Sequence, residues 1–277
     1  MNTYWMRAPE GLILFDTLRT LTDARQALAR IRDTGQPVAA ILLTHAHPDH
    51  VGGAGIFKEA FPRAPIYASE ASAKAMREDR RGLYALTRSL PGSDFPSELT
   101  HPDKVFRAGA TLTIAGTRLR TAEFPHAESD AATVYYEPES RTLFPGDLLG
   151  NRVTPALVEG HSCGWLVQLD RLRERYPAAG LAHPGHGAPA PARDLISRQQ
   201  AYIKHFRGLV KRAVRESSPA GRRVTRAERR AIIAAMGRAH PRHPRVASLP
   251  TLMEENVKAV AAELVSTRPA ELPRVCR

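Results

Sequence analysis

Residues 42–50 read Leu42-Leu43-Thr44-His45-Ala46-His47-Pro48-Asp49-His50, and this stretch decides how the chain is read. Three imidazoles and a carboxylate crowd together at the end of the apolar run "PVAAILLT". A continuous apolar run of strand length reads as a strand buried on both faces. The polar cluster then occupies a loop at the strand's carboxyl end, where open α/β sheets carry their sites. His45 and His47, two apart on an extended segment, point the same way and suit one ion. Asp49 and His50 lie where the chain turns into a helix and aim elsewhere. A tetrahedral ion spreads its ligands too widely to take all four from so short a piece. The reading is two ions, each receiving two ligands from this loop.

Upstream, residues 3–17 ("TYWMRAPEGLILFDT") read as two short strands joined at 9–11. "TDARQALARIRDTG" follows as a helix with Thr22 as N-cap and Gly35 past its end. Strand, helix and strand make a βαβ unit. Downstream, Gly52 and Gly53 allow a tight turn into the short helix "AGIFKEAF", which Pro62 stops, and "APIYAS" is a further strand. Residues 70–104 are polar and rich in turn formers, so they read as an irregular insertion and a candidate lid, with Tyr84, Phe95 and Leu99 as its apolar side. From 105 to 148 the pattern is β. "GWLVQLDRLRERY" is helical, "GLAHPGHG" a short strand, and everything after Pro191 helical, with Thr225 to Glu228 forming a capping box.

Each ion needs further ligands from loops on the same edge. His126 follows "RLRTAEFP", Asp147 follows "RTLFPG" and His186 follows "GLAHPG". The Pro-Gly before the last two turns the backbone sharply and presents the next side chain. The motifs "THAHPDH", "FPHAESD", "FPGD" and "PGHG", in this order, resemble those of the metallo-β-lactamase fold superfamily over roughly residues 3–210. The resemblance implies an α/β fold, a four-layer αββα sandwich with the site at one edge between two sheets. Residues 1–210 would form the catalytic domain, with 70–104 as its lid, and 211–277 a basic helical C-terminal extension packed on it. Carried over by position, His45, His47 and His126 would hold the first metal, and Asp49, His50 and His186 the second. Asp147 would bridge both, and Asp16, in a "DT" like the family's "DTG", would support the ligands. Leu18 stands where the family usually has glycine.

Two cations a few Å apart lower the pKa of a shared water, so that a bridging hydroxide exists at neutral pH. Asp49 and Asp147 are therefore the expected catalytic groups, with Asp49 able to orient the nucleophile and pass on its proton. Imidazoles and carboxylates without thiolate suit two Zn2+, with iron or manganese also fitting. The expectation is a dinuclear hydrolase of a small ester, thioester or lactone. The alternatives are a mononuclear iron persulfide dioxygenase, a metal-dependent phosphodiesterase or nuclease, and a weak β-lactamase. The lactamases of the family place cysteine or serine where Asp147 sits. Its glyoxalase II members usually show histidine where this chain has Ala46, and its flavodiiron branch has glutamate where His47 stands.

The chain has 277 residues, 43% hydrophobic and 25% charged, which is the composition of a globular protein large enough to bury a proper core. Its net charge of +12 and isoelectric point near 10.3 would suit nucleic acid, acidic substrates or anionic membranes. Few aromatics interleave with the basic residues, so a nucleic-acid groove is not favoured and a small-molecule substrate is expected. No run approaches the length of a membrane span, and no basic patch precedes an apolar core at the N-terminus, so the expected location is cytoplasmic. The chain begins almost inside the fold, which leaves room for a lost upstream signal. Cys163 and Cys276 show no metal-type spacing and no disulfide framework, and Cys163 reads as a small buried residue. His161, in "EGHSCGW", reads as a pocket-lining candidate, and His183 as a competitor of His186. His101, His205, His240 and His243 read as surface residues.

Overall fold

A computed structural model describes residues 1–90, 92–216, 224–246, 249–267 and 272–276. Part of the extension expected at 211–277, and Pro91 within the expected lid, lie outside the described residues.

Strands β1 (Tyr4–Ala8) and β2 (Gly11–Phe15) pair antiparallel. Gly11 has φ +136°, and a Cβ there would stand 2.5 Å from the Pro37 carbonyl oxygen, so only glycine fits the turn. Helix α1 (Leu21–Arg32) returns the chain to β3 (Val38–Leu42), which lies parallel to β2 and completes the expected βαβ unit. The N-cap of α1 is Thr20, not Thr22. Thr20 is extended and accepts from the Asp23 amide, whereas the Thr22 amide is engaged by the Asp94 carboxylate at 2.7 Å. Helices α2 (Pro48–Val51) and α3 (Ala54–Ala60) lead to β4 (Ile66–Ser69).

The segment expected to be irregular is largely helical, forming α4 (Glu70–Glu78) and α5 (Leu83–Ser89) before β5 (Lys104–Phe106). Ser69 caps α4 through the Ser72 amide, and the Asp79 carboxylate accepts from the Leu83 amide to start α5. These caps supply the helix starts that the turn-forming composition had obscured.

The second sheet holds β6 (Thr111–Ile114), β7 (Thr117–Glu123), β8 (Thr133–Glu137), β9 (Thr142–Gly150), β10 (Leu181–His186) and β11 (Ala190–Pro191). Its spatial order is β11-β10-β9-β8-β7-β6, and the first sheet runs β1-β2-β3-β4-β5. Helix α6 (Ser162–Arg175) joins β9 to β10, and α7 (Ala192–Glu216), α8 (Arg226–Ala239) and α9 (Leu252–Ser266) follow. The capping box at Thr225 and Glu228 is present on α8.

The alternation of strand side chains sorts the core into layers. Ile13, Phe15, Ala40 and Leu42 of the first sheet meet Leu119, Tyr135 and Phe144 of the second, and Phe15 stacks on Phe144 at 3.7 Å. The opposite face, with Leu12, Leu14 and Ile41, packs on Leu28 and Ile31 of α1 and Phe57 of α3. The outer face of the second sheet, with Val134, Tyr136 and Leu143, packs on Trp165 and Leu169 of α6, Phe206 of α7 and Val257 of α9. Helix, sheet, sheet and helix make the expected αββα sandwich with added C-terminal helices.

One expectation from the cysteines is overturned. Cys163 and Cys276 form a disulfide across a separation of 113 residues, with Cα atoms 5.4 Å apart. The C-terminal segment folds back onto the start of α6, where Glu263 of α9 accepts from the Ser162 and Cys163 amides. A pairing made by that distant return leaves no trace in cysteine spacing.

Candidate metal centre

The ligand-type side chains collect at one edge of the sandwich, where the loops after β3 and β7 meet the ends of β9 and β10. They form two groups, each with ligand atoms within 4.8 Å of one another: Asp49, His50, Asp147 and His186 in one, and His45, His47 and Glu128 in the other. The His45 and His50 rings are 3.9 Å apart, so the groups adjoin.

Glycines let the elements approach so closely. Gly146 has φ +54°, and a Cβ there would stand 2.6 Å from Thr44 Oγ1. A Cβ at Gly185 would overlap Asp147 Oδ1. The Pro-Gly pairs before Asp147 and His186 thus bring β9 and β10 against the "HAHPDH" loop, and the parallel β9–β10 pairing shifts register around Pro184 and His186.

Asp16 supports the four-residue group. His50 Nδ1 lies 2.8 Å from Asp16 Oδ2, and the Thr44 amide and hydroxyl donate to the same carboxylate at 2.8 Å. Thr44 Oγ1 also lies 3.0 Å from His45 Nδ1. Hydrogen bonds at both Nδ1 atoms leave the Nε2 lone pairs of His45 and His50 for the site. Asp16 and Leu18 have φ of 58° and 69°. Leu18 therefore keeps the left-handed backbone that a glycine would adopt freely.

His47 is supported differently. Its Nδ1 faces Glu128 at 3.1 Å, and its Nε2 bonds Glu159 at 2.9 Å. Arg81 Nη2 lies 3.3 Å from the other Glu159 oxygen. Glu128 and Glu159 carry no signal in the sequence as read. Each sits in a polar loop among other polar residues, and the burial of their side chains, to 3% and 5% exposure, is a tertiary fact.

His126 is the expected ligand that the structure does not bring into this group. It is exposed, with φ 53°, and gathers with Asp130 and His161 in a third cluster. Glu128 occupies the place beside His45 and His47. Asp147 lies with the four-residue group, 3.2 Å from His50 Nε2 and 3.3 Å from His186 Nε2. His183 stands apart, its ring stacked on Phe144 at 5.0 Å.

The electrostatics ask for cations. Burial opposes charge on His50 and His186, yet the facing carboxylates win: Asp147, Asp16 and Asp49 hold His50 well above its usual range, and Asp147 and Asp49 raise His186 to about 9. Burial likewise opposes protonation of His47, and Glu128 and Glu159 override it. His45 is pushed well down by burial and by its imidazole neighbours His50 and His47. Burial raises the Glu128 carboxyl to about 7 against the pull of His47. Imidazolium protons thus stand among carboxylates where a divalent ion would displace them. His45 Nε2, His50 Nε2, Glu128 Oε2 and Asp147 Oδ1 are buried without a hydrogen-bond partner. Such orphaned atoms are costly unless something else binds them, and a cation in each group would do so. Imidazole and carboxylate donors without thiolate fit zinc, iron or manganese.

Among the described residues, a polar and an apolar groove are among those that reach this edge. One, of about 570 Å³, is polar and lined by Arg19, Gln26 and Arg30, ending at Asp49 and His186. The other is apolar, lined by Leu83, Leu86 and Leu90 on one side and Val158, Leu249 and Leu252 on the other, and ends at His47, Asp49 and Asp147. Arg19 lines both. Of the apolar residues expected on the lid, Phe95 and Leu99 pack inward with α3 instead. Tyr84 is 5% exposed and donates its hydroxyl to the Ala46 carbonyl, which anchors α5 to the ligand loop.

The metallo-β-lactamase superfamily model matches residues 2–195. A linear primary-alkylsulfatase of Pseudomonas sp. (strain ATCC 19151) is 28% identical over 229 residues, covering 69% of this chain and 42% of that protein. A hydroxyacylglutathione hydrolase of Synechococcus sp. (strain JA-3-3Ab) is 32% identical over 154 residues, covering 55% and 51%. The chain thus spans about half the length, or less, of these relatives. Among solved structures, a metallo-β-lactamase family protein of Thermus thermophilus superposes with a TM-score of 0.65 at 23% identity, over 94% of this chain and 86% of that one. A double mutant of the sec-alkyl sulfatase PisA1 gives 0.66 at 17% identity, over 98% and 49%. At these identities the two structures speak for the fold alone.

Proposed function

The chain belongs to the metallo-β-lactamase superfamily, and from that premise we propose that it is a dinuclear metal-dependent hydrolase of a small ester, thioester or lactone bearing an apolar substituent. The observation that carries this reading is the pair of adjoining ligand groups whose buried atoms lack partners. Zinc suits the donor set, and the Synechococcus relative, named for hydrolysis of a hydroxyacylglutathione, supports ester-type chemistry.

Cations bound there would lower the pKa of a water between them, so that hydroxide is available at neutral pH. The chain's own groups do the rest. Asp49, 14% exposed and hydrogen-bonded to His186, faces the polar groove and is placed to orient the nucleophile and accept its proton. Asp147 would hold a metal with Asp49, His50 and His186. Asp16 and Thr44 fix the imidazoles. The apolar groove takes the hydrocarbon part of the substrate and excludes water from it, and the polar groove with Arg19 and Arg30 takes the charged part.

A second reading has one observation in its favour. The alkylsulfatase relative matches more of this chain than the hydroxyacylglutathione hydrolase does, 69% against 55%. An alkyl sulfate is also an ester with one polar and one apolar end.

The test combines metal content of protein purified without added metal with turnover on carboxylic esters, thioesters, lactones, alkyl sulfates, phosphodiesters and a persulfide. About two zinc equivalents are expected, with turnover falling about 10²–10⁴-fold in Asp49→Ala. One iron per chain with turnover of a persulfide points to the dioxygenase. Full turnover in both Asp49→Ala and Asp147→Ala with metal bound sinks the mechanism.

A further inference from the structure

The loop 126–130 is a tight one, with the His126 amide bonded to the Asp130 carbonyl and the Ala127 amide to the Ser129 carbonyl. Its two ends are exposed and its three middle residues buried. Glu128 turns inward to His45 and His47, while His126 and Asp130 turn outward. The segment before α6 does the same, with Glu159 turned to His47 and His161, two residues on, turned to the rim. The outward residues of the two segments meet. His161 Nε2 is 2.9 Å from Asp130 Oδ1, the His126 and His161 rings are 5.1 Å apart, and one ligand atom from each of the three residues falls within 4.8 Å of the others.

We propose that His126, Asp130 and His161 form a third site for a borderline divalent cation (zinc, cobalt or nickel), at the rim beside the two buried groups. Two imidazoles and one carboxylate are the donor set such ions prefer. The His126 ring makes no hydrogen bond among the described residues, so its nitrogens are available. Packing holds the donors in place. A Cβ at Gly164 of α6 would overlap the His126 carbonyl oxygen, so only glycine lets α6 seat against this loop. His161 is the N-cap residue of the same helix, and its carbonyl accepts from the Trp165 amide at 2.7 Å. Donors held by packing rather than by long flexible arms lose little freedom on binding.

One charge opposes the ion. Arg81 Nη2 lies 3.6 Å from Asp130 Oδ1 as well as 3.3 Å from Glu159. A bound cation leaves Arg81 to Glu159 alone. The rim site also borders the cleft of about 210 Å³ lined by His47, Arg81, Asp130 and Glu159, so an ion there stands on an approach to the first buried group.

The experiment is a calorimetric titration of Zn2+ into the full chain after its tight sites are filled, with total metal counted by elemental analysis. One further, weaker equivalent is expected. His126→Ala and His161→Ala each lose that equivalent and keep the tight ones, and Arg81→Gln binds it at least several-fold more tightly. No additional equivalent in the parent chain overturns the proposal. So does loss of a tight equivalent in His126→Ala, because that result places His126 with His45 and His47. Stoichiometry does not depend on turnover, so failure of the hydrolase reading leaves this test intact.

Discussion

The floor of the site and the helical wall beside it are built by different means. The floor draws its candidate ligands from loops and strand ends in which the decisive residues are sequence neighbours: His45, His47, Asp49 and His50 in one loop, and Pro-Gly pairs before Asp147 and His186. The wall is held by bonds between residues 56 to 113 apart. Glu263 of α9 bonds the amides at the start of α6 and the Arg207 guanidinium at 2.8 Å. The Asn256 side chain accepts from the Leu157 amide and donates to the Pro155 carbonyl. Cys163 is bridged to Cys276. Function is concentrated where chain geometry alone presents the side chains, and the support for it is spread where only the folded chain can supply partners.

Glu128 breaks that division, because it belongs to the floor and yet was not legible. Its variant carries the largest expected effect. Glu128→Ala removes a candidate ligand from beside His45 and His47, and the metal content should fall by about one equivalent. Turnover should fall by more than the roughly 10–100-fold that loss of an outer hydrogen-bond partner brings. Elemental analysis with steady-state kinetics measures both. If His126→Ala removes that equivalent and Glu128→Ala does not, the first group has been assembled from the wrong residue of the loop.

The αββα layering was readable because strand side chains alternate and apolar runs mark strands buried on both faces, as for β3. Thr225 announced its helix by a local capping pattern. Glu128 and His126 lie two residues apart in the same loop, and which of them turns inward is a fact of the folded loop, on which α6 packs closely at Gly164. The helices at 70–90 hid behind turn-forming residues that serve as their caps. Glu159 and Glu263 act through partners that the chain supplies from distant elements. Distance along the chain, not subtlety of chemistry, separates what could be read from what could not.

The disulfide sharpens the comparison from the side of the wall. A bridge closing so long a loop restricts the unfolded chain strongly, and replacing both cysteines (Cys163→Ser with Cys276→Ser) should lower stability by about 2–4 kcal/mol. Denaturant unfolding of the parent and the variant checks this, and the metal content of the variant should not change. Loss of metal on removal of the bridge would mean that the wall positions the ligands as well as supporting them. Such a bridge persists in oxidising compartments and is reduced in the cytosol.

The smallest effect is expected at Asp16, where the floor supplies its own support. Asp16 is 3% exposed, and its carboxylate meets His50 Nδ1, the Thr44 amide and the Thr44 hydroxyl. Asp16→Asn keeps the shape but removes the charge, and it offers an NH2 where one of those donors needs an acceptor. Affinity of the four-residue group for its metal should fall about 10–100-fold, measured by competition with a chelating dye. The Thr44 hydroxyl also lies 3.0 Å from His45 Nδ1, so the neighbouring group should weaken by a lesser factor. Equal weakening of both metals would make Asp16 and Thr44 one brace for the whole floor. No weakening would mean that packing alone, through the close approach of Gly146 and Gly185, sets the rings, and that the floor depends on distant contacts as much as the wall does.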